Sequence, residues 1–131
     1  MYDNIKEDEG TIDRPIGRDP KNRLRNAVTD INSRNAVTHY RVMERFGRFT
    51  LIEAVLETGR THQIRVHMAY IRHPLLGDDL YGPTGNKLGV KRQMLHAAVL
   101  GFIHPVSGEY MEFESPLPDD FQRALFLLRE K

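Results

Sequence analysis

The chain has 131 residues, 40% hydrophobic and 28% charged, with a formal net charge of +1 and no cysteine. This is the size and balance of one globular domain, long enough to bury a core without disulfide staples. No apolar run approaches the roughly 20 residues that span a bilayer, and no secretory leader is evident, so a cytoplasmic protein without membrane contact is expected.

The elements follow in chain order. Residues 1–13 carry five acids against Lys6 and show no periodicity, so residues 1–9 are expected to fray. GTIDRPIGRDP has strand character broken by Pro15, which suits an edge or irregular strand. Residues 14–25 reverse the charge: Arg14, Arg18, Lys21, Arg23 and Arg25 stand against Asp19. That block suits phosphate, and equally suits a solvated loop. The polar stretch from Asp19 to Asn35 reads as one long loop. THYRVMERF and RFTLIEAVLE form two strands about Gly47-Arg48, a hairpin with glycine first in a type II′ turn. The second strand is apolar on both faces and is expected at the centre of the sheet. Thr61 is a candidate N-cap for a helix over residues 62–72, with Ile64, Met68 and Ile71 as its buried stripe. HPLLGDDLYGP is a turn-rich connection, followed by a hairpin about Val106-Ser107-Gly108. A last helix begins at Pro118-Asp119 and buries Phe121, Ala124, Leu125 and Leu128. The fold class is α+β: a mainly antiparallel sheet packed by two or more helices, in a single domain.

Most polar chemistry gathers in LETGRTHQIRVH, residues 56–67. Donors at a helix start suit an anion, and arginine adds a planar fork for a carboxylate or phosphate. His62 and Arg65, three apart, share a helical face. Arg65 would equally serve as a surface residue whose stem covers apolar area. His62, His67 and His73 are spaced five and six apart, not the four that aligns two rings on a helix. No metal site is expected. Ser33, Ser107 and Ser115 lack a nucleophile elbow, and there is no glycine-rich phosphate loop.

AVTHYRVMERF, LETGRTHQIRVHMAYIRHPLLGDDLYG and MLHAAVLGFIHPVSGEYMEFESPLP together resemble the RluA/RluD-type RNA pseudouridine synthases, in order, over residues 9–121. The resemblance implies a cofactor-free isomerisation of uridine to pseudouridine in ribosomal or transfer RNA. It makes Arg65 the arginine that pairs with the catalytic aspartate, and puts Arg60 and His62 at the rim toward RNA phosphate or ribose. Arg18, Lys21, Arg23 and Arg25 are the further expected RNA contacts.

The family's Arg-Leu-Asp and Thr-Ser-Gly segment and its Lys-x-Tyr-x-Ala motif do not occur here, while Asp13, Asp78 and Asp79 sit in other contexts. Residues 10–131 therefore correspond to the C-terminal part of the catalytic domain, expected to be inactive alone and to self-associate through exposed sheet edges. Two other readings stand beside it: a non-catalytic RNA-binding module, and a plain structural domain.

Overall fold

The computed structural model describes residues 1–2, 5–22, 24–83, 90, 92–95, 99–103, 110–114 and 116–129, with 99–103 and 110–114 described by backbone alone. The order is β1 (Glu9–Asp13), β2 (Ile16–Arg18), β3 (Asn26–Val28), β4 (Val37–Arg45), β5 (Thr50–Leu56), α1 (Gln63–Tyr70), β6 (Val99–Ile103), β7 (Tyr110–Glu114) and α2 (Asp119–Arg129). The α+β class expected from the sequence holds. Among the described residues, however, the strands form three antiparallel sheets, β1-β4-β5, β2-β3 and β6-β7, rather than one.

Pro15 accounts for the first division. It lacks an N–H and ends β1, so the chain leaves the large sheet and pairs again as β2. Its partner β3, with Ile16 opposite Val28, lies inside the stretch expected to be one long loop. The β4–β5 hairpin forms as its alternation predicts. Gly47 takes φ +89°, and the Phe46 N–H donates to the Phe49 carbonyl at 2.9 Å across the two-residue connection. A register shift between Val42 and Glu44 interrupts the ladder. The central strand is β4, not β5. Val55 and Leu56 on β5 stay exposed, so an apolar strand need not be an interior one.

The described residues of the acidic start, 1–2 and 5–9, lie against the large sheet. Ile5 is 1% exposed and packs with Ile12, Met68 and Leu75. Its N–H reaches Thr50 Oγ1, its carbonyl accepts from Arg45 Nε, and Tyr2 bridges Phe49. One buried isoleucine among acids outweighs the charge pattern that suggested disorder.

α1 lies between two apolar clusters. Met68, flanked by the half-buried Ile64 and Ile71, faces the cluster beneath β1, β4 and β5. Val66 joins Ile16 and Ala36 on the β2–β3 side. The helix starts one residue later and ends two residues earlier than its sequence pattern. Thr61 is not its cap. His62 holds that place with a left-handed φ of 57° and no side-chain cap bond. The other end closes with Arg72 at φ 68°, where its N–H reaches the Ala69 carbonyl and the His73 N–H reaches that of Met68. α2 buries Ala124, Leu125 and Leu128, with Phe121 half-buried. Ion pairs tie it to Glu44 through Arg129 and to Arg92 through Asp120. The expected turn about Val106 lies outside the described residues. Among those described, no helix is long and apolar enough to cross a membrane.

The connection after α1 bends back at Gly77, where φ is +82° and a Cβ would overlap the Arg92 carbonyl. Gly77→Ala therefore meets a backbone penalty and a steric one together. It is expected to lower stability by at least about 2 kcal/mol in urea unfolding.

Candidate functional site

The polar residues of segment 56–67 divide into an inward and an outward set. Gln63 and His67, four apart on α1, point inward. His67 Nε2 lies 2.9 Å from the Arg14 carbonyl, which only accepts, so Nε2 carries the proton. Nδ1 then accepts from the Thr38 hydroxyl at 2.7 Å. Gln63 Nε2 donates to Thr38 Oγ1 and to the Val37 carbonyl, both at 2.9 Å. Gln63 Oε1 accepts from the Thr58 hydroxyl at 2.7 Å and from the Arg60 N–H at 3.0 Å. Donation runs in one direction, from Thr58 through Gln63, Thr38 and His67 to the Arg14 carbonyl just past β1, and His67 and Thr38 are fully buried. These donors therefore hold the helix in place. Burial pushes His67 below the ordinary histidine value, against the opposing pull of the Arg14 carbonyl and Asp13.

The outward set centres on Arg65. Its Nε donates to Asp78 Oδ2 at 2.8 Å and its Nη2 to Asp78 Oδ1 at 2.9 Å, a bidentate fork. The side chains are 14% and 0% exposed. Asp78, which the sequence set aside, is thus a partner of Arg65 within the chain. No sequence period reports the pairing, because Gly77 turns the chain back across 13 positions. Asp78 Oδ1 also accepts the N–H groups of Leu80 and Tyr81, both at 3.2 Å. Burial alone would raise its carboxyl, but Arg65 and these amides outweigh it and hold Asp78 below the usual carboxylate range. The hydrogen bonds to Asp78 in turn raise Arg65, against the opposing effect of burial.

Tyr81, unmarked in the sequence, joins the other parts. The Arg65 guanidinium carbon sits 5.0 Å from its ring centroid. Its hydroxyl lies 2.9 Å from His62 Nδ1 and accepts the Asn26 N–H at 3.0 Å. Asn26 Nδ2 donates to the Thr61 carbonyl, and Arg25 Nη1 donates to that of Leu80. The β2–β3 hairpin is thereby fastened against the start of α1 and the 78–81 loop. Arg18, opposite Asn26 in the strand register, and the exposed Lys21 lie on that hairpin. Arg25 is engaged by Asp19 at 3.0 Å, and Arg60 Nε by the Asn35 carbonyl at 2.8 Å. Both are braces before they are ligands. Arg23 lies outside the described residues. His62 is exposed while His67 is buried, so the two rings diverge.

A family profile described as RNA pseudouridylate synthase matches residues 2–70, more than half of the chain. The chain belongs to the RNA pseudouridylate synthase family. An uncharacterized RNA pseudouridine synthase, YlyB, of Bacillus subtilis is 57% identical over 96% of this chain and 41% of its own length. A ribosomal large subunit pseudouridine synthase D of Xanthomonas campestris is 52% identical over 92% of this chain and 40% of its own. The chain thus spans about 40% of the length of these curated relatives. Among solved structures, human RNA pseudouridylate synthase domain containing 1 superposes with a TM-score of 0.72 at 27% identity, covering 99% of this chain and 63% of that one. Human RNA pseudouridylate synthase domain containing 4 shares the fold, with a TM-score of 0.70 over 93% of this chain and 57% of that one.

In this family member the buried His67 gives stability a predictable pH slope. Its folded value lies below the ordinary value of about 6.5, so the unfolded chain takes up a proton that the folded chain resists. This contribution is complete above that value and is lost as pH falls below it, at no more than about 1.4 kcal/mol per pH unit. Asp78, depressed by Arg65, contributes a separate loss only at lower pH. Urea unfolding between pH 7.5 and 5 should show the first slope. His67→Gln should be less stable at pH 7.5 and should flatten it.

Proposed function

We propose that this chain supplies part of the active site of an RNA pseudouridine synthase, acting on uridine in ribosomal or transfer RNA. The N-glycosidic bond breaks, the uracil turns, and a C–C bond forms at C5, without a cofactor. The observation that carries this reading is the oriented Arg65, in a chain of this family. Asp78 engages Nε and one N–H of Nη2, which leaves Nη1 with two donors and no partner among the described residues. These donors suit a second carboxylate, the aspartate of the Arg-Leu-Asp motif that this sequence lacks. Because Asp78 already neutralises the guanidinium, Arg65 would act on that acid through directed hydrogen bonds more than through net charge.

Asp78 is a poor substitute for the missing acid. It is fully buried, its oxygens accept four hydrogen bonds, and its carboxyl is depressed, which suits neither a nucleophile nor a base. The chain alone is therefore inactive in this proposal. The target base leaves its stack to be reached, at a cost of a few kcal/mol. Contacts from Arg18, Lys21, Arg60 and His62 to RNA phosphate or ribose help to meet that cost. The exposed edge of β5, with Val55 and Leu56, supports pairing with a further strand, including one from a second copy.

The alternative, a non-catalytic RNA-binding module, gains less from the structure, because Arg25 and Arg60 are already engaged inside the chain.

The test is pseudouridine formation in ribosomal and transfer RNA. The chain alone should give none. Mixed with a polypeptide carrying the family's Arg-Leu-Asp segment, it should turn over, and Arg65→Ala should cost at least about a hundredfold in rate. Turnover by the chain alone, or an unaffected Arg65→Ala, would overturn the proposal.

A further inference from the structure

His62 is a non-glycine residue at φ +57° at the head of α1, a conformation that costs roughly 1–2 kcal/mol unless its surroundings impose it. Its side chain is exposed, so core packing does not impose it. Among the described residues its side-chain neighbour is Tyr81. The rings meet edge to face with centroids 5.6 Å apart at 79°. Tyr81 is itself fixed from four sides. Its ring packs on the Ile16, Ala36 and Val66 cluster and carries Arg65 over one face. Its own N–H is held by Asp78, and its hydroxyl accepts from the Asn26 N–H.

The proton count at that hydroxyl is informative. The Asn26 amide is a donor only, so it takes a lone pair of the phenol oxygen. The phenol proton is then available to His62 Nδ1, 2.9 Å away, a contact whose direction follows the His62 tautomer. A ring that accepts at Nδ1 carries its own proton at Nε2. Among the described residues Nε2 has no partner.

We propose that Tyr81 is a positioning residue that locks His62 as the neutral Nε2–H tautomer, so that one fixed N–H donor at the head of α1 meets an acceptor oxygen of the RNA backbone. This rests on the reading of the chain as part of an RNA pseudouridine synthase. The oxygen belongs either to a phosphate or to a ribose 2′-hydroxyl, both of which accept from an imidazole N–H. Through the shared Tyr81 ring, the same residue sets the Arg65 guanidinium and the His62 donor in one frame. A displacement of one is thereby felt by the other.

The experiment uses the full 131-residue chain with ¹⁵N-labelled histidine. Long-range ¹H–¹⁵N spectra at pH 7.5 read the tautomer of His62 directly. Nε2–H is expected, whereas Nδ1–H or an unbiased mixture in the unsubstituted chain overturns the proposal without any variant. Tyr81→Phe keeps the ring under Arg65 and removes only the hydroxyl. It should relax His62 to a mixture and weaken binding of a uridine-containing RNA hairpin roughly three- to tenfold. Titration with that hairpin should move the His62 Nε2 signal. A DNA hairpin of the same sequence, with deoxyuridine, should move it equally if the acceptor is phosphate, and leave it in place if it is the 2′-hydroxyl. If RNA moves the signal but Tyr81→Phe leaves tautomer and affinity unchanged, the role of Tyr81 falls and the RNA reading stands. If the tautomer obeys Tyr81 but neither hairpin moves Nε2, the proposed backbone contact fails, and with it the RNA-facing reading of this surface.

Discussion

A guanidinium and a carboxylate withdrawn from water together repay their desolvation only when the geometry is close and every remaining lone pair is met. Arg65 and Asp78 meet the first condition, and Asp78 Oδ1 the second. The fork is bidentate below 3 Å, and two backbone amides donate to the same Oδ1. The pair joins α1 to the loop that follows Gly77. Through Asp78 the loop places Tyr81, and through Tyr81 the β2–β3 hairpin is fastened to the head of the helix. Remove either charge and the other is left buried without a counterpart, with the loop, ring and hairpin each losing a fixed point. The site thus depends less on any exposed base than on one pair largely shielded from solvent.

The same short helix shows why so many donors sit on a segment that also packs. On its inner side Gln63 and His67 complete a directed line of hydrogen bonds that ends on the Arg14 carbonyl, so no buried side-chain polar atom among the described residues lacks a partner. On its outer side Arg65 and His62 are held by Asp78 and Tyr81. An apolar helix would pack as well, but it would not fix the rotation of α1 about its axis. Polar contacts with one allowed direction do so, and that rotation sets where Arg65 points.

The features legible in the sequence were those with a local period or a local turn. The β4–β5 hairpin follows from alternation about Gly47, α2 from the spacing of Ala124, Leu125 and Leu128, and the break at Pro15 from a missing donor. The family was legible through three long matching segments, and the importance of Arg65 came with it. What was missed joins residues far apart in the chain. Ile5 reaches Thr50 across 45 positions, and Asp78 reaches Arg65 across a glycine bend that carries no period. Thr61 looked like a cap because capping is a composition rule, whereas the cap position is held by the left-handed His62, whose ring meets Tyr81. β5 looked central because its residues are apolar, but pairing order is decided by which strand offers two free edges.

The central claim is that Arg65 and Asp78 act as one unit. A double-mutant cycle on the isolated chain, with Arg65→Met, Asp78→Asn and the combination followed by urea unfolding at pH 7.5, tests it most directly. Each single substitution should cost about 3–5 kcal/mol, and the double should recover at least about 2 kcal/mol of their sum. Costs that add to within about 0.5 kcal/mol would show that the two side chains are independent and would contradict the account.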